Sequence, residues 1–556
     1  MRLVPAPAQQ LLALVALLAA CSKPAEVAAP VASAAAPKPA AAVAASDHAE
    51  PGIAWKNAAN DADVDAAFAL AKAEAKPVFV YWGAKWCPPC NQVKATLFNR
   101  QDFIERSRAF VPVYVDGDSP GAQKLGARFK VSGYPTMVLF NPQGTELTRL
   151  PGEVEPDRYS QVLTLGMNAQ RPVKEVLAQA LSGSKTAGGS GLSANDWRML
   201  AFYSWDTDHQ QLVPKDGVPA LLKQLADACP ADQADASVRL RLKALAAVDD
   251  KAPAKPDAAA QAALVTLLAD PAAARAHMDV LTNSATDITR ALSAKGTPQR
   301  GELLAAFDAA MKRFAADTTL SRADRLTALY AQIDLAKIDQ PKKSSAAGSA
   351  RPKIVLPEPL LAEIHAQVAS ADREITDGYE RQAVITAAAW VLEQAGLGDE
   401  SDVLLKANLA KSHSPYYLMS ELSSNAKKRG DTAEALRWSE AAFDKSEGPA
   451  TRLQWGASYV NALVELAPQD EARIEKAASQ VLTEAAAAPD AFYERSGRSL
   501  QSLGSKLVGW NKAGAHAGTI KRLQTQLDGV CNALPAADPN HVACGALLKP
   551  AAKKTA

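Results

Sequence analysis

Two cysteines separated by two prolines, Cys87 and Cys90, lie where the sequence pattern changes from that of a strand to that of a helix. The preceding residues 78–82 are apolar and rich in β-branched and aromatic side chains, which indicates a buried strand. The residues that follow, 93–98, carry apolar side chains at helical spacing. This junction predicts an α/β domain in which the two sulfurs lie within one helical turn, and it restricts the fold more than any other feature.

The neighbouring segments continue this alternation of helices and strands. Pro77 ends the preceding helical pattern, and the segment 141–144 contains the Asn, Pro and Gly residues of a hairpin turn. Such an alternation is typical of α/β domains. We predict helices at 63–76, 122–129 and 156–165, and strands at 110–116, 137–140 and 146–150.

Three parts of this segment resemble the thioredoxin family. They are the Trp-Cys-Pro-Pro-Cys run at 86–90, the Tyr-Pro-Thr run at 134–136 before a strand, and Gly144 in the turn that follows. The segment resembles thioredoxin-like domains such as the periplasmic C-terminal domain of the transmembrane thiol:disulfide interchange reductase, whose lead-in is similar to Ile-Ala-Trp at 53–55. The resemblance implies a thioredoxin fold for residues 51–170.

The position of the pair suggests different roles for the two sulfurs. Cys87 would lie at a helix N-terminus, where free N–H groups and the helix dipole favour its thiolate, so we expect it to be the nucleophile. Cys90 would resolve the mixed disulfide, and the two would form a redox disulfide. The family resemblance further implies that Pro135 is cis and positions substrate together with Trp86 and Tyr134. For Trp86, simple packing is an equal alternative.

The cysteine pair could also be a structural disulfide or one half of a zinc site. A zinc site needs a second pair of Cys or His ligands at suitable spacing, and this segment of the sequence has none. The scattered histidines elsewhere are interpreted as surface or packing residues. We therefore expect no metal and no dissociable cofactor.

The motif departs from the family pattern at two points. Many thioredoxins carry a buried acid six residues before the first cysteine, whereas this chain has Tyr81, so a general base is either absent or supplied from elsewhere. The two prolines between the cysteines have no N–H, which leaves mainly the Cys90 N–H to stabilise a thiolate at Cys87. We expect this to limit thiolate stabilisation and to make the pair a better reductant.

The N-terminus has the pattern of an export signal. Residues 1–20 combine one basic residue, a short apolar run and small residues at the end. The run Leu-Ala-Ala-Cys at 18–21 resembles the lipobox of bacterial lipoproteins, which implies lipidation of Cys21 and a lipid anchor in the periplasm. Ser22 resembles the residue of lipoproteins sent to the outer membrane. The alternative is an ordinary cleaved signal with a chance cysteine.

Composition excludes several classes of protein. Lys and Arg number 61 against 60 Asp and Glu, so the formal charge of +1 gives no basic excess for nucleic acid, and we expect no nucleic-acid partner. Six cysteines in 556 residues are too few for a disulfide-built scaffold. An aromatic content of 6% with abundant alanine favours helices over a strand-rich fold for the remainder.

We therefore expect an α/β thioredoxin fold followed by a large all-α region of helical hairpins, similar to an α-solenoid. The predicted boundaries are a signal peptide at 1–20, an Ala/Pro-rich tether at 21–50, the thioredoxin-like domain at 51–170, a linker at 171–194, a helical region at 195–340, a Pro/Ser-rich break at 341–358, a helical-hairpin repeat region at 359–525 and a C-terminal segment at 526–556.

A weak internal repeat marks the second helical region. Asp399, Asp431 and Asp470 are each expected to cap a helix that ends before a proline. The spacing resembles tetratricopeptide-like helical hairpins without their full consensus. We interpret the region as a concave surface for a protein or peptide; the alternative is a scaffold or a dimerisation module.

The remaining cysteines are expected to have separate roles. Cys531 and Cys544 are expected to form a structural disulfide near the C-terminus, with a metal site that includes His541 as the alternative. Cys229 precedes a proline in an alanine-rich helix and is interpreted as a buried free thiol.

Together these features predict a membrane-anchored periplasmic thiol:disulfide oxidoreductase. It would reduce or exchange disulfides in exported protein clients through the Cys-Pro-Pro-Cys pair and take electrons from a membrane thiol donor. One alternative is a helical scaffold or adaptor lipoprotein whose thioredoxin-like domain serves docking. Another is an oxidase or isomerase.

Overall fold

The computed structural model describes residues 52–152, 155–182, 191–208, 211–249, 257–340 and 355–550. The predicted signal peptide at 1–20, the lipidation site Cys21 and the tether at 21–50 lie outside the described residues, as does most of the predicted break at 341–358. Within the described ranges, no helix has both the length and the apolar character that crossing a membrane requires.

Five strands form one mixed sheet in the order β1-β3-β2-β4-β5. The central strand β2 pairs in parallel with β3 and antiparallel with β4, and its residues are buried along their whole length. The continuous apolar run in β2 reflects this burial on both faces. The strands are β1 Lys56–Asn57, β2 Val78–Gly83, β3 Val111–Asp116, β4 Thr136–Phe140 and β5 Glu146–Leu150. The predicted strands are confirmed within one residue, and the two-residue β1 was not predicted.

Five helices surround this sheet. They are α1 Asp61–Glu74, α2 Pro88–Val93, α3 Gln101–Arg106, α4 Ala122–Arg128 and α5 Pro156–Met167; a π-helical stretch Lys94–Phe98 continues α2, and a 3₁₀ turn Ser107–Ala109 follows α3. Local sequence explains the limits of α1. The Asn60 side chain accepts from the Asp63 N–H and the Asp63 carboxylate accepts from the Asn60 N–H, which forms a capping box. The helix ends at Glu74 with Ala75 as its C-cap, two residues before Pro77.

The rest of the described chain is helical, which confirms the predicted fold class. The helices are α6 Val173–Leu181, α7 Ala194–Phe202, α8 Val218–Ala228, α9 Ala234–Ala246, α10 Ala258–Ala269, α11 Pro271–Ala276, α12 Met278–Asn283, α13 Ala285–Leu292, α14 Pro298–Ala316, α15 Arg322–Lys337, α16 Glu358–Glu374, α17 Gly378–Gln394, α18 Gly398–Asn408, α19 Pro415–Arg429, α20 Thr432–Lys445, α21 Pro449–Leu466, α22 Glu471–Ala487, α23 Glu494–Trp510, α24 Ala517–Asn532 and α25 His541–Ala546, with 3₁₀ turns at Trp205–Thr207, Lys215–Gly217 and Lys512–Gly514.

The structure corrects the predicted linker at 171–194. Helix α6 occupies part of it, because Val173, Val176, Leu177 and Ala180 are spaced to bury one helical face. The Gly/Ser-rich residues 183–190 lie outside the described residues. The predicted boundary at residue 525 is also wrong, since α24 continues through it without interruption.

The predicted helix caps of the repeat are correct at two of three positions. The side chains of Asp431 and Asp470 accept from backbone N–H groups three residues later and are the N-caps of α20 and α22. Asp399 instead lies in the first turn of α18, where its charge interacts favourably with the helix N-terminus. Consecutive helices from α17 to α22 pack against one another, as helical hairpins do.

One face of the sheet shares its hydrophobic core with the helices that follow. Phe79 and Leu139 of the sheet lie in the same buried cluster as Leu200 of α7, Leu222 of α8 and Leu240 of α9. The sheet domain and the first part of the helical region are therefore joined by apolar packing.

Arg149 on β5 strengthens this junction with hydrogen bonds. Its side chain is 0% exposed, and it donates to the carbonyl oxygens of Phe129 at 2.5 Å, Lys130 at 2.8 Å and Thr207 at 2.7 Å. Glu146 pairs with the same guanidinium at 2.9 Å. Because Thr207 belongs to the segment after α7, this buried cation binds the sheet to the helical region.

Replacing Arg149 by Met should lower the free energy of unfolding by about 3–5 kcal/mol, because the buried carbonyl oxygens and Glu146 lose their donor. Urea titration followed by circular dichroism measures this change. The control is Arg128→Met. Arg128 forms ion pairs with Asp61 and Asp65, and 41% of its side chain is exposed. Its loss should therefore lower the free energy of unfolding by at most about 1 kcal/mol. Equal losses in the two variants would contradict the role given to Arg149.

The fold also buries Cys229, a free cysteine just after α8. Its thiol lies in the core shared by the sheet and helices, and this burial raises the pKa of Cys229 to about 11. A thiol with this pKa is almost entirely protonated at pH 8, and the protonated form is a poor nucleophile.

Native protein treated with iodoacetamide at pH 8 under non-reducing conditions should therefore leave Cys229 unmodified. Labelling should increase with pH toward 11, and it should be fast at pH 8 after denaturation. Peptide mass spectrometry measures the modified fraction at this residue alone. If Cys229 reacts equally fast in the native and denatured states, it is not buried as described.

Candidate active site

Cys87 and Cys90 form a disulfide at the start of α2, with Cα atoms 5.3 Å apart. Cys87 is the N-cap residue, and the Cys90 N–H donates to the Cys87 sulfur at 3.2 Å. Pro88 and Pro89 occupy the first two helical positions, which suit proline because N–H groups there have no partner within the helix. The helix start therefore holds both sulfurs in one rigid turn.

Asn91 stabilises the loop that enters this helix. Its side-chain amide is buried and donates to the carbonyl oxygens of Lys85 and Cys87, both at 2.8 Å. These bonds join the residue after the motif to the loop before it. Asn91 was not predicted from the sequence, although a polar residue on the buried side of an apolar helix is a usable signal.

Tyr134 and Pro135 lie beside the cysteine pair. The bond between them is cis, and the Tyr134 carbonyl oxygen is 3.6 Å from the Cys87 sulfur. Gly152 lies against this loop; a Cβ atom there would be 3.1 Å from Pro135 Cγ, so the close approach favours glycine. The structure thus brings the 134–135 loop and both cysteines together.

Tyr81 takes the position where many thioredoxins have an acid, and it is part of the core. Its ring stacks on Tyr114 with centroids 5.3 Å apart and meets the edge of Phe98 at 5.0 Å. Aromatic packing of this kind disfavours a carboxylate at the same position. The Tyr81 side chain therefore packs in the hydrophobic core of the sheet domain.

Two partly buried acids occur instead, one at the last position of β3 and one two residues after it, and neither was predicted from the sequence. Asp116 pairs in register with Gly83, at the sheet edge from which the motif loop starts. Asp118 accepts from the backbone N–H and the hydroxyl of Thr451, both at 2.6 Å. Burial raises the pKa of Asp116 and of Asp118, and Arg495 opposes the rise at both. Their position at the carboxyl end of a parallel strand could have indicated them.

Trp86 lies in a site formed by the helical region. Its ring stacks on Tyr417 with centroids 5.8 Å apart and an interplanar angle of 15°, and it meets Trp455 edge-on at 5.1 Å. The guanidinium of Arg495 lies 4.9 Å from the ring centroid. Gln382 donates to the Trp86 carbonyl oxygen at 3.3 Å. We call Tyr417, Trp455 and Arg495 the Trp86 cage.

Polar contacts surround this cage. Each joins the cysteine-bearing face of the sheet domain to the helices α21 and α23 or to the loops that precede them. They are Lys85 with Glu447 at 3.1 Å, Asp118 with Thr451, the Arg495 N–H with Gln123 at 3.0 Å, the Gln123 N–H with Asp490 at 2.8 Å, and Arg498 with the Ser132 carbonyl at 2.6 Å. Cys87 is only 2% exposed and Cys90 is 0% exposed.

A cavity of about 310 Å³ remains beside the pair. Pro88, Pro89 and Gly152 line it on one side, and Asp324 and Glu421 line it on the other. Burial raises the pKa of both carboxyl groups. In the part of the chain that the structure describes, no group of three or more His, Cys, Asp or Glu side chains is arranged to hold a metal ion.

The predicted cysteine pair near the C-terminus lies far along the chain from this site. Cys531 and Cys544 form a disulfide with Cα atoms 5.7 Å apart, and both are buried where α24 meets α25. His541 begins α25 without a metal-binding group around it among the described residues. This disulfide connects the last two helices.

Comparison with known proteins agrees with the architecture of the site. The thioredoxin-like domain family matches residues 64–166. Thiol:disulfide interchange protein DsbD 1 of Pseudomonas aeruginosa is 30% identical over 105 residues, which are 18% of this chain and 18% of that protein. DsbD 2 of the same organism is 30% identical over 98 residues, 17% of each chain. The chain thus spans less than a fifth of the length of these curated relatives.

Among solved structures, the solution structure of a thioredoxin from Thermus thermophilus is 29% identical, covers 20% of this chain and 88% of its own, and has a TM-score of 0.18. The family match, the order of strands and helices, and the cysteine pair at the start of α2 agree. Residues 64–166 of this chain form a thioredoxin-like domain with weak similarity to the DsbD thiol:disulfide interchange proteins.

Proposed function

We propose that this chain is a thiol:disulfide oxidoreductase that reduces or exchanges disulfides in exported proteins through Cys87 and Cys90. The observation that carries the proposal is the disulfide at the start of α2, in contact with the 134–135 loop. A purely structural disulfide needs neither a helix N-terminus nor a neighbouring peptide carbonyl. The similarity to thiol:disulfide interchange proteins supports the same chemistry.

In the reductive direction, the Cys87 thiolate attacks one sulfur of the client disulfide. A mixed disulfide forms, and one client thiolate leaves. The Cys90 thiolate then attacks the Cys87 sulfur, which releases the second client thiolate and forms the Cys87–Cys90 disulfide. Two electrons pass to the client, and the helix N-terminus stabilises the thiolate at Cys87 in the reduced enzyme. Tyr134, Pro135 and Trp86 are the proposed substrate-positioning residues.

The cellular setting is also a proposal. The lipobox-like run that ends at Cys21 supports a lipid anchor in the bacterial periplasm, and Ser22 supports the outer membrane. A lipid chain contributes about 0.8 kcal/mol per buried CH₂, so several chains on one cysteine anchor a protein stably. In this setting a dithiol of a membrane protein would return the pair to the reduced state.

A helical scaffold or adaptor that uses the thioredoxin-like domain for docking is the second candidate. Its supporting observation is that the helices receive Trp86 and cover the cysteines. An oxidase or isomerase would use the same residues, and the reduction potential of the pair distinguishes these from a reductase.

Replacing Cys90 by Ala should trap clients, because the mixed disulfide at Cys87 can no longer be resolved. Periplasmic extracts separated without reductant and analysed by mass spectrometry should show client proteins bound to Cys87. The control is the double variant Cys87→Ser, Cys90→Ala, which should trap none. If the trapping variant holds no client and a Cys87→Ser, Cys90→Ser strain behaves as the wild type, the scaffold function is favoured.

The two prolines give a second prediction with a matched control. An N-cap side chain accepts from the N–H of the second or third helical residue, so Pro89→Ala restores a donor to Cys87 whereas Pro88→Ala does not. The added bond should stabilise the thiolate and make the disulfide more oxidising. We expect an about tenfold change in the equilibrium constant with glutathione for Pro89→Ala, the effect of one charge-assisted hydrogen bond. Equal changes in both variants would contradict the role given to the missing N–H at position 89.

A further inference from the structure

We propose that the helical region acts as a gate over the cysteine pair, and that release of Trp86 from its cage is the opening step. In the closed arrangement described above, a folded client cannot place a sulfur atom on Cys87. In the open arrangement the face that carries Cys87, Trp86 and the 134–135 loop is free. The inference concerns the regulation of the proposed active site and therefore rests on the proposed function.

Burial of the nucleophile is the first argument. Thiol–disulfide exchange requires contact between the attacking sulfur and the disulfide, so the reaction rate depends on access to the thiolate. Cys87 is 2% exposed, and Trp86 and Tyr134 pack against it. Arg495 covers both of these rings, at 4.9 Å from Trp86 and 5.4 Å from Tyr134. The helices thus cover the residues proposed to receive a client.

The second argument is that the helical region is attached to the sheet domain in two different ways. On the β5 side the two parts share an apolar core and the buried Arg149. On the cysteine side α2 packs against α17, but the two helices contribute their buried residues to separate apolar clusters. The other contacts on this side are hydrogen bonds and an ion pair around one aromatic anchor, Trp86. Polar contacts can be replaced by water when an interface opens, whereas exposure of an apolar core is costly. The cysteine side is therefore the side that can separate.

Imperfect packing on this side is the third argument. Among the described residues, the Trp86 indole N–H and the Arg495 Nε–H are buried without a hydrogen-bond acceptor. A buried unsatisfied donor destabilises the state that contains it, and opening would allow water to bind both groups. The cavity of about 310 Å³ beside Pro88 and Pro89 lies on the same side. These features make the closed arrangement less stable than a fully packed interface.

The test uses the full chain with Trp455→Ala and, separately, Tyr417→Ala, which weaken the cage without changing the proposed substrate-positioning residues. An aromatic pair contributes about 0.5–1.5 kcal/mol, so each variant should raise the open fraction about fivefold. Two rates are measured on each protein. The first is alkylation of Cys87 in the reduced protein, followed by peptide mass spectrometry. The second is reduction of a folded protein disulfide, with insulin as the probe.

Trp438→Ala is the matched control. Trp438 is a buried tryptophan of the same helical region, but it packs beside Arg437 and Glu434 on α20. The Trp438→Ala substitution should lower the stability of the protein without changing either rate. Circular dichroism confirms that all variants are folded.

The two rates test the gate and the proposed function independently. The gate predicts that Cys87 alkylation and insulin reduction both rise about fivefold in the two cage variants and not in the control. Unchanged alkylation in both folded cage variants, or an equal rise in Trp438→Ala, overturns the gate. If alkylation rises as predicted but neither wild type nor variants reduce insulin or any trapped client, the gate is supported and the oxidoreductase function fails.

Discussion

The apolar packing of one sheet face directly against helices α7–α9 determines how the rest of the chain is arranged. Phe79 and Leu139 lie in one buried cluster with Leu200 and Leu240, and the buried Arg149 side chain adds hydrogen bonds at the same junction. Because this junction fixes where the helical region starts, it also determines which face the later helices reach. Helices α19–α23 return to the cysteine-bearing side, where Trp86 packs in its cage.

The same core explains the tyrosine at position 81. A carboxylate there would be buried among Phe98, Tyr114 and the other rings of the cluster, and burial of an unpaired charge is costly. The chain places two partly buried acids at the end of β3 and just after it instead, and Asp118 is hydrogen-bonded to Thr451 of the helical region. The titratable groups at the motif edge of the sheet are thus part of the contact between the two regions.

Local sequence patterns were sufficient for the thioredoxin-like domain. Strands β2, β4 and β5, the helix start at the cysteine pair and the hairpin turn each depend on neighbouring residues, so their prediction was confirmed. Helix α6 was not predicted, because the Gly/Ser-rich residues that follow it are typical of a linker. The covering of the site could not be predicted, because Trp86 meets Trp455 and Asp118 meets Thr451 across more than 300 positions of sequence. Periodicity shows that a helix has an apolar face, and it does not show which distant residue that face contacts.

The helical region that covers the cysteine pair belongs to the same chain, so its contacts need not hold two separate molecules together. Because the shared core already holds the helical region beside the sheet domain, its effective concentration at the cysteine side is high. Modest contacts are therefore enough to keep the site closed. The aromatic cage, a few partly buried hydrogen bonds and the Lys85–Glu447 pair would bind a separate protein weakly, yet they are sufficient within one chain. The free energy that a client must supply to displace them is correspondingly small. A shielded cysteine pair and ready access for clients are therefore compatible, because the strong attachment lies on the β5 side and the weak one over Cys87.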